Sequence, residues 1–225
     1  MFRDELERLG RFLVELGGRA PSAELLARVI ERYSRARAAL LEQAANLPAR
    51  AYAEAIAHYH RDGSARIQGS EISNLKSQIL NPIALAGGPL PPARFDLFDI
   101  VERAGARIAL NATECGELSL LPAIAAASGD PVGALARACT ARIPAVHHRP
   151  NTALYAWLGT RLAARRVRGI VLWSHVGCDL WRAEAQSLRE AFGLPVLLLD
   201  SGDTQGGSTR SMTRLEAFAE TLAIK

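Results

Sequence analysis

Four short apolar runs, each closed by Gly, Pro or polar residues and separated by helix-length amphipathic stretches, constrain this chain most. They are Ile83–Ala86, Arg107–Asn111, Gly169–Trp173 and Pro195–Asp200. Each is too short for a buried helix and apolar on both alternating sets of side chains, which predicts strands covered on both faces. Helical patterns lie between and after them, at Arg94–Ala104, Val132–Arg142, Thr152–Arg166, Asp179–Phe192 and about Ser211–Leu222. Strand alternating with helix predicts right-handed crossover units and a four-stranded parallel sheet, Rossmann-like or flavodoxin-like.

The residues before Pro82 follow a different pattern. Leu6, Leu9, Leu13 and Leu16 recur at helical spacing, and Gly17 and Gly18 end that stretch. After Pro21 an apolar stripe runs through Leu26, Val29, Ile30, Tyr33, Leu40 and Leu41 until Pro48, and a weaker helix covers Ala51–His60. The division expected is a helical segment over 1–81 followed by a parallel α/β domain over 82–225. A chain of 225 residues, 49% hydrophobic, buries a core of this kind without disulfides.

Charge and cysteine content exclude several classes. The net charge of +4 is spread along amphipathic segments, so a solvated surface is expected rather than a nucleic-acid interface. No uncharged apolar run approaches the ~20 residues that cross a bilayer, and the first residues lack a signal-peptide core. A cytoplasmic protein is expected. Three cysteines, Cys115, Cys139 and Cys178, form no disulfide framework and no C-x-x-C pair. Neither a P-loop nor a G-x-G-x-x-G nor a G-x-S-x-G motif occurs.

In open parallel sheets, ligands bind beyond the carboxyl ends of the strands. The residues that follow the four runs are Gly87 and Gly88, then Glu114 and Cys115, then His175 to Cys178, then Asp200 to Gly207. Cys178 stands out because a Gly177 turn lifts it to the start of a helix, where the helix dipole favours a thiolate. The alternative is a buried, inert thiol. Cys115 follows a strand and can reach the same edge, whereas Cys139 fits a helix core. His175 lies three residues before Cys178. His147 and His148 fall in a loop and read as solvated. Gly206 to Arg210 precede the last helix, for which Thr213 and Glu216 suggest a capping box. With Arg214, that segment suits an anion or is an ordinary loop.

At these residues the chain resembles the 2-hydroxyacyl-CoA dehydratase family, which includes the benzoyl-CoA reductase subunits. The resemblance rests on Ala86–Leu90, Val101–Arg107 leading to Asn111, His175–Trp181, Leu194–Asp200 and Thr213–Glu220, with Ile30–Arg37 in the helical lead-in. It spans about Glu24 to Leu222 and corresponds to the family's helical connector and C-terminal domain. It implies a [4Fe–4S] protein acting on an acyl-CoA thioester, with an ATP-dependent activator delivering one electron and a ketyl-type radical enabling elimination or ring reduction. Cys178 matches the cysteine that this domain gives to the cluster; Cys115, which matches no ligand position of the family, is the candidate second metal ligand. Family members carry a further N-terminal domain with more cluster cysteines, which implies a sister subunit here. On this reading His175 and Glu114 are catalytic, and Gly87, Gly88, Asp203, Arg210 and Arg214 bind substrate. Two alternatives stand beside it: a subunit or interaction protein of the same fold without a cluster, and a domain binding a CoA-like anion.

Overall fold

A computed structural model describes residues 1–66, 81–120, 122–124, 129–141, 145–202 and 209–223. Three helices come first: α1 (Phe2–Glu15), α2 (Ala23–Gln43) and α3 (Ala49–Asp62). Ser22 caps α2, its hydroxyl accepting from the Leu25 amide at 3.1 Å. Gly63, at φ 68°, closes α3 in the left-handed region. The elements that follow are β1 (Asn81–Gly87), α4 (Asp96–Arg103), β2 (Ala106–Thr113), α5 (Pro131–Thr140), α6 (Thr152–Ala164), β3 (Gly169–Ser174), α7 (Asp179–Phe192), β4 (Val196–Asp200) and α8 (Thr209–Ala223).

The strands form one parallel sheet in the order β2-β1-β3-β4, the order of flavodoxin-like folds over these strands. Alternation along each strand divides its side chains between two cores. Ile83, Leu85, Val171 and Trp173 face α4 and α8, where they meet Phe98, Val101, Leu215 and Leu222. Ala84, Ala86, Ile170 and Leu172 face α6 and α7, meeting Leu154, Leu158, Trp181 and Leu188. The small alanines of β1 let the second helical layer approach closely. A register shift between Ile83 and Ala84 leaves Ala109 of β2 without a partner across the ladder. The Arg165 guanidinium satisfies the Ala109 carbonyl instead, at 2.9 Å.

The lead-in helices join this body unequally. Ala49 and Ala53 of α3 enter the first core. Leu40, Tyr52, Ile56 and Tyr59 form a third, smaller core with Leu120. Helix α1 buries no residue at all.

The last helix departs from the sequence expectation. It begins at Thr209, so Thr213 lies in its second turn and is not an N-cap. The apolar periodicity starts at Met212, which places the expected boundary too late. The third helix, expected from Ala51, starts at Ala49 because Pro48 supplies its fixed φ at the N-cap. Among the described residues, no helix is long and apolar enough to cross a membrane.

Candidate functional site at the carboxyl edge of the sheet

The chain leaves β1 toward one face of the sheet and β3 toward the other, the topology at which open parallel sheets bind ligands beyond adjacent carboxyl ends. Gly87 ends β1 at φ 129°, and a Cβ there would stand 1.9 Å from the Trp173 carbonyl oxygen of β3. Only glycine fits. The next amide, Gly88, donates to that same oxygen at 3.1 Å. On the other side, the Glu114 amide donates to the Gly87 carbonyl at 3.0 Å. The loops after β1, β2 and β3 are thus fastened together through backbone groups.

Side chains complete the arrangement. The Trp181 indole donates to Glu114 Oε1 at 2.7 Å, which holds a half-exposed carboxylate against a fully buried ring. His175 Nε2 lies 2.8 Å from the Pro89 carbonyl oxygen. A carbonyl only accepts, so that nitrogen carries the proton and Nδ1 is the nitrogen left for other partners. The Trp173 indole donates to the same carbonyl at 3.3 Å. A Cβ on Gly88 would come within 3.4 Å of the His175 ring and 3.7 Å of Trp181. Gly87, Gly88, Glu114 and His175 therefore converge, and Trp181 ties them together. Reading the sequence for titratable groups missed Trp181; its position three residues after Cys178, at the first turn of α7, is the signal that could have found it.

Cys178 is the N-cap residue of α7, with a half-buried side chain resting on the second core. Its amide donates to the His175 carbonyl at 3.0 Å, and its carbonyl accepts from the Arg182 amide at 3.3 Å. The β3 turn thereby sets the thiol at the head of the helix. Cys115 directly follows Glu114 and is exposed. Desolvation around its sulfur pushes the thiol pKa up; a Leu90 backbone hydrogen bond opposes this, while the Glu114 carboxylate adds to it. That bond places Cys115 beside the loop after β1. Cys139 lies half-buried on α5, which packs on α1 and α2. His147 and His148 are exposed.

The β4 side of the edge is held by Arg182, whose guanidinium pairs with Asp200 at 3.0 Å, and by Ser201, which accepts from the Val176 amide at 3.2 Å. Arg210 is exposed in the first turn of α8. One Arg214 nitrogen donates to the Leu198 carbonyl of β4 at 2.6 Å. Asp203 and Gly206 to Ser208 lie outside the described residues.

A second carboxylate, three residues beyond Glu114, behaves differently. Glu117 is buried and gripped by Arg165 through two parallel bonds of 2.6 and 2.9 Å, with Arg161 at 3.8 Å. Burial pushes its pKa up and both arginines pull it back. Glu184 is likewise enclosed by Arg149, Asn151 and Tyr155. These two carboxylates have their acceptors filled and serve the packing, whereas Glu114 is half-exposed and is bonded to Trp181 through Oε1.

The family model for the D-component of 2-hydroxyglutaryl-CoA dehydratase matches residues 1–222. The chain belongs to that family. Membership covers the lead-in helices, α1 included, as well as the α/β body. No curated protein matches the chain. A [4Fe–4S] cluster would ask for about four thiolate ligands. Among the described residues no three His, Cys, Asp or Glu side chains come together as a metal-binding group. The described edge alone therefore does not hold a four-thiolate cluster.

Proposed function

We propose that this dehydratase-family component works in an iron–sulfur enzyme of the 2-hydroxyacyl-CoA dehydratase or benzoyl-CoA reductase type, acting on an acyl-CoA thioester by radical chemistry. The observation that carries the reading is Cys178 at the head of α7, on the edge where a parallel sheet binds its ligands, in a chain that matches the family over 1–222. A [4Fe–4S] cluster, when bound, supplies single low-potential electrons. In this proposal Cys178 gives one ligand and Cys115 a second, and a sister subunit provides the remainder. An ATP-dependent activator delivers the electron.

The chain's own residues have separate roles in that scheme. Gly87, tight against β3, sets the turn that presents Gly88, whose missing side chain leaves room for the thioester beside His175 and Trp181. Glu114, oriented by Trp181, and His175, through Nδ1, exchange protons with the acyl group. Arg210 and Arg214 at the start of α8, with Asp203, bind the polar part of the CoA moiety. One observation favours a second reading. Because the described residues contain no complete ligand group, a cluster-free subunit of the same fold is the competing assignment. A domain binding a CoA-like anion is the third.

Iron and acid-labile sulfide, measured on protein purified without oxygen together with its co-encoded partners, separate these readings. About four irons per complex, lost in Cys178→Ser with the complex intact, is the expected result. A colourless, iron-free complex rejects the cluster assignment. Thermal stabilisation by an acyl-CoA in that iron-free protein would then favour the anion-binding reading.

A further inference from the structure

A cavity of about 370 Å³ lies among α2, α3, α5 and the loop after β2. None of Gly87, Gly88, Glu114, Cys115, His175 or Cys178 lines it. Its length is apolar: Leu26, Val29 and Ile30 present one stripe of α2 at helical spacing. Its polar groups are Arg37, His60, Ser34, Ser119 and the hydroxyls of Tyr33 and Tyr59. Arg37 continues the same stripe two turns on from Ile30, so a guanidinium follows the apolar run along α2.

Among the described residues, the charge behind that point is unbalanced. Arg161 and Arg165 share the single carboxylate of Glu117. Arg37 acts electrostatically on Tyr52 and Tyr59. Among the described residues it has no carboxylate partner, and its buried Nε has no hydrogen-bond partner either. The Tyr52 hydroxyl is also buried and unpartnered. Buried donors left unpaired are uncommon and costly. His60 and Ser119 are joined at 2.7 Å, and the Ser119 hydroxyl donates onward to the Gly116 carbonyl at 2.5 Å. That chain fixes His60 Nε2 as a donor to Ser119.

From this geometry we infer that the cavity is a binding site for an amphiphilic monocarboxylate, whose apolar chain lies along α2 and whose carboxylate pairs with Arg37. A planar guanidinium matches a carboxylate through two parallel bonds. The volume falls in the range of small-ligand sites, and one guanidinium beside apolar walls suits one negative charge on an apolar body rather than a polyphosphate. The inference stands apart from the acyl-CoA reading, because it uses none of the residues of the sheet edge.

Titration calorimetry on the full chain with octanoate, acetate and octan-1-ol tests it. Octanoate should bind saturably, and acetate and octan-1-ol each about tenfold or more weaker, since one lacks the chain and the other the charge. Arg37→Gln should weaken octanoate by about tenfold while leaving the circular dichroism spectrum unchanged. If Arg37→Gln fails to fold, Val29→Trp takes its place: a ring filling the apolar stripe should weaken octanoate by about the same factor. No octanoate binding at millimolar concentration overturns the inference. So do equal binding of octanol or acetate, and octanoate binding unchanged in the folded variant.

Discussion

The parallel sheet and the first helix both carry large apolar side chains and put them to opposite uses. Every described side chain of β3 is buried, and Ile83, Leu85, Val171 and Leu172 are wholly so. Helix α1 presents Phe2, Leu9, Phe12 and Leu13 to solvent, each 42–53% exposed, and its link to α5 includes an exposed ion pair between Arg3 and Asp130 at 3.1 Å. A strand apolar on both alternating faces has one solution, burial between two layers. An amphipathic helix has several, because its polar face already satisfies water and its apolar face can wait. The candidate site belongs to the first kind of element. Its geometry is set by backbone bonds between buried strands, so rigidity at the edge is inherited from the sheet.

The largest effect should come where the two central strands meet. Gly87→Ala forces a Cβ into the Trp173 carbonyl from a φ that side chains rarely adopt, so we expect a loss of about 3 kcal/mol or more in urea unfolding. A mild phenotype would break the claim that the β1–β3 contact is rigid. Next comes Arg165→Ala, which strands the buried Glu117 carboxylate and frees the Ala109 carbonyl. The expected cost is about 3 kcal/mol. Adding Glu117→Gln should recover part of it, since a neutral amide tolerates burial better; no recovery would mean that Arg165 matters through the bulge rather than through the charge.

The same contrast explains what could be read from sequence. All four strands were legible, because short apolar runs between Gly, Pro and polar residues have few other meanings; β2 is longer than expected, reaching Thr113, because Asn111 and Thr113 are buried and bonded to each other at 2.8 Å. Helix α7 was legible to both ends, bounded by Cys178 and by Gly193 at φ 63°. That Gly87, Gly88, Glu114 and His175 share one edge follows from their places after strands of a parallel sheet; that they converge needed the strand order, which puts β1 between β2 and β3. What sequence did not disclose depends on contacts distant in the chain: the grip of Trp181 on Glu114, 67 residues apart, and of Arg165 on Glu117, 48 apart. Nor did it separate α1 from α2, since both carry an apolar stripe and only the fold decides which is covered. The start of α8 was misplaced because apolar periodicity begins later than the helix does.

Smaller effects sharpen the comparison at the edge itself. Trp181→Phe keeps the ring in the second core but removes the bond to Glu114, for an expected cost of about 1–2 kcal/mol. The Glu114 carboxylate should then become mobile, seen as averaged side-chain NMR signals. An unchanged, ordered Glu114 would show that the β2 loop positions it without Trp181. His60 should add a weak pH dependence. Its neighbours desolvate the ring and push its pKa below the ordinary ~6.5. The unfolded chain therefore binds more protons as pH falls through that value, and stability should fall with it, levelling off below the folded-state pKa. His60→Gln should flatten that part of the profile; an identical slope would assign it to another group.

The smallest effect belongs to α1. Leu9→Glu places a charge on a position already 52% exposed, on a helix that buries nothing. Unfolding of the isolated chain should change by less than about 0.5 kcal/mol. The same substitution made in β3, at Leu172, removes a wholly buried side chain from the second core and should abolish folding. A large loss from Leu9→Glu in the isolated chain would mean that α1 is fastened to α5 more strongly than its exposure indicates. An unchanged stability leaves the apolar stripe of α1 with no part in holding this chain together, and puts its five large exposed side chains, Val14 included, among the surfaces open to a partner.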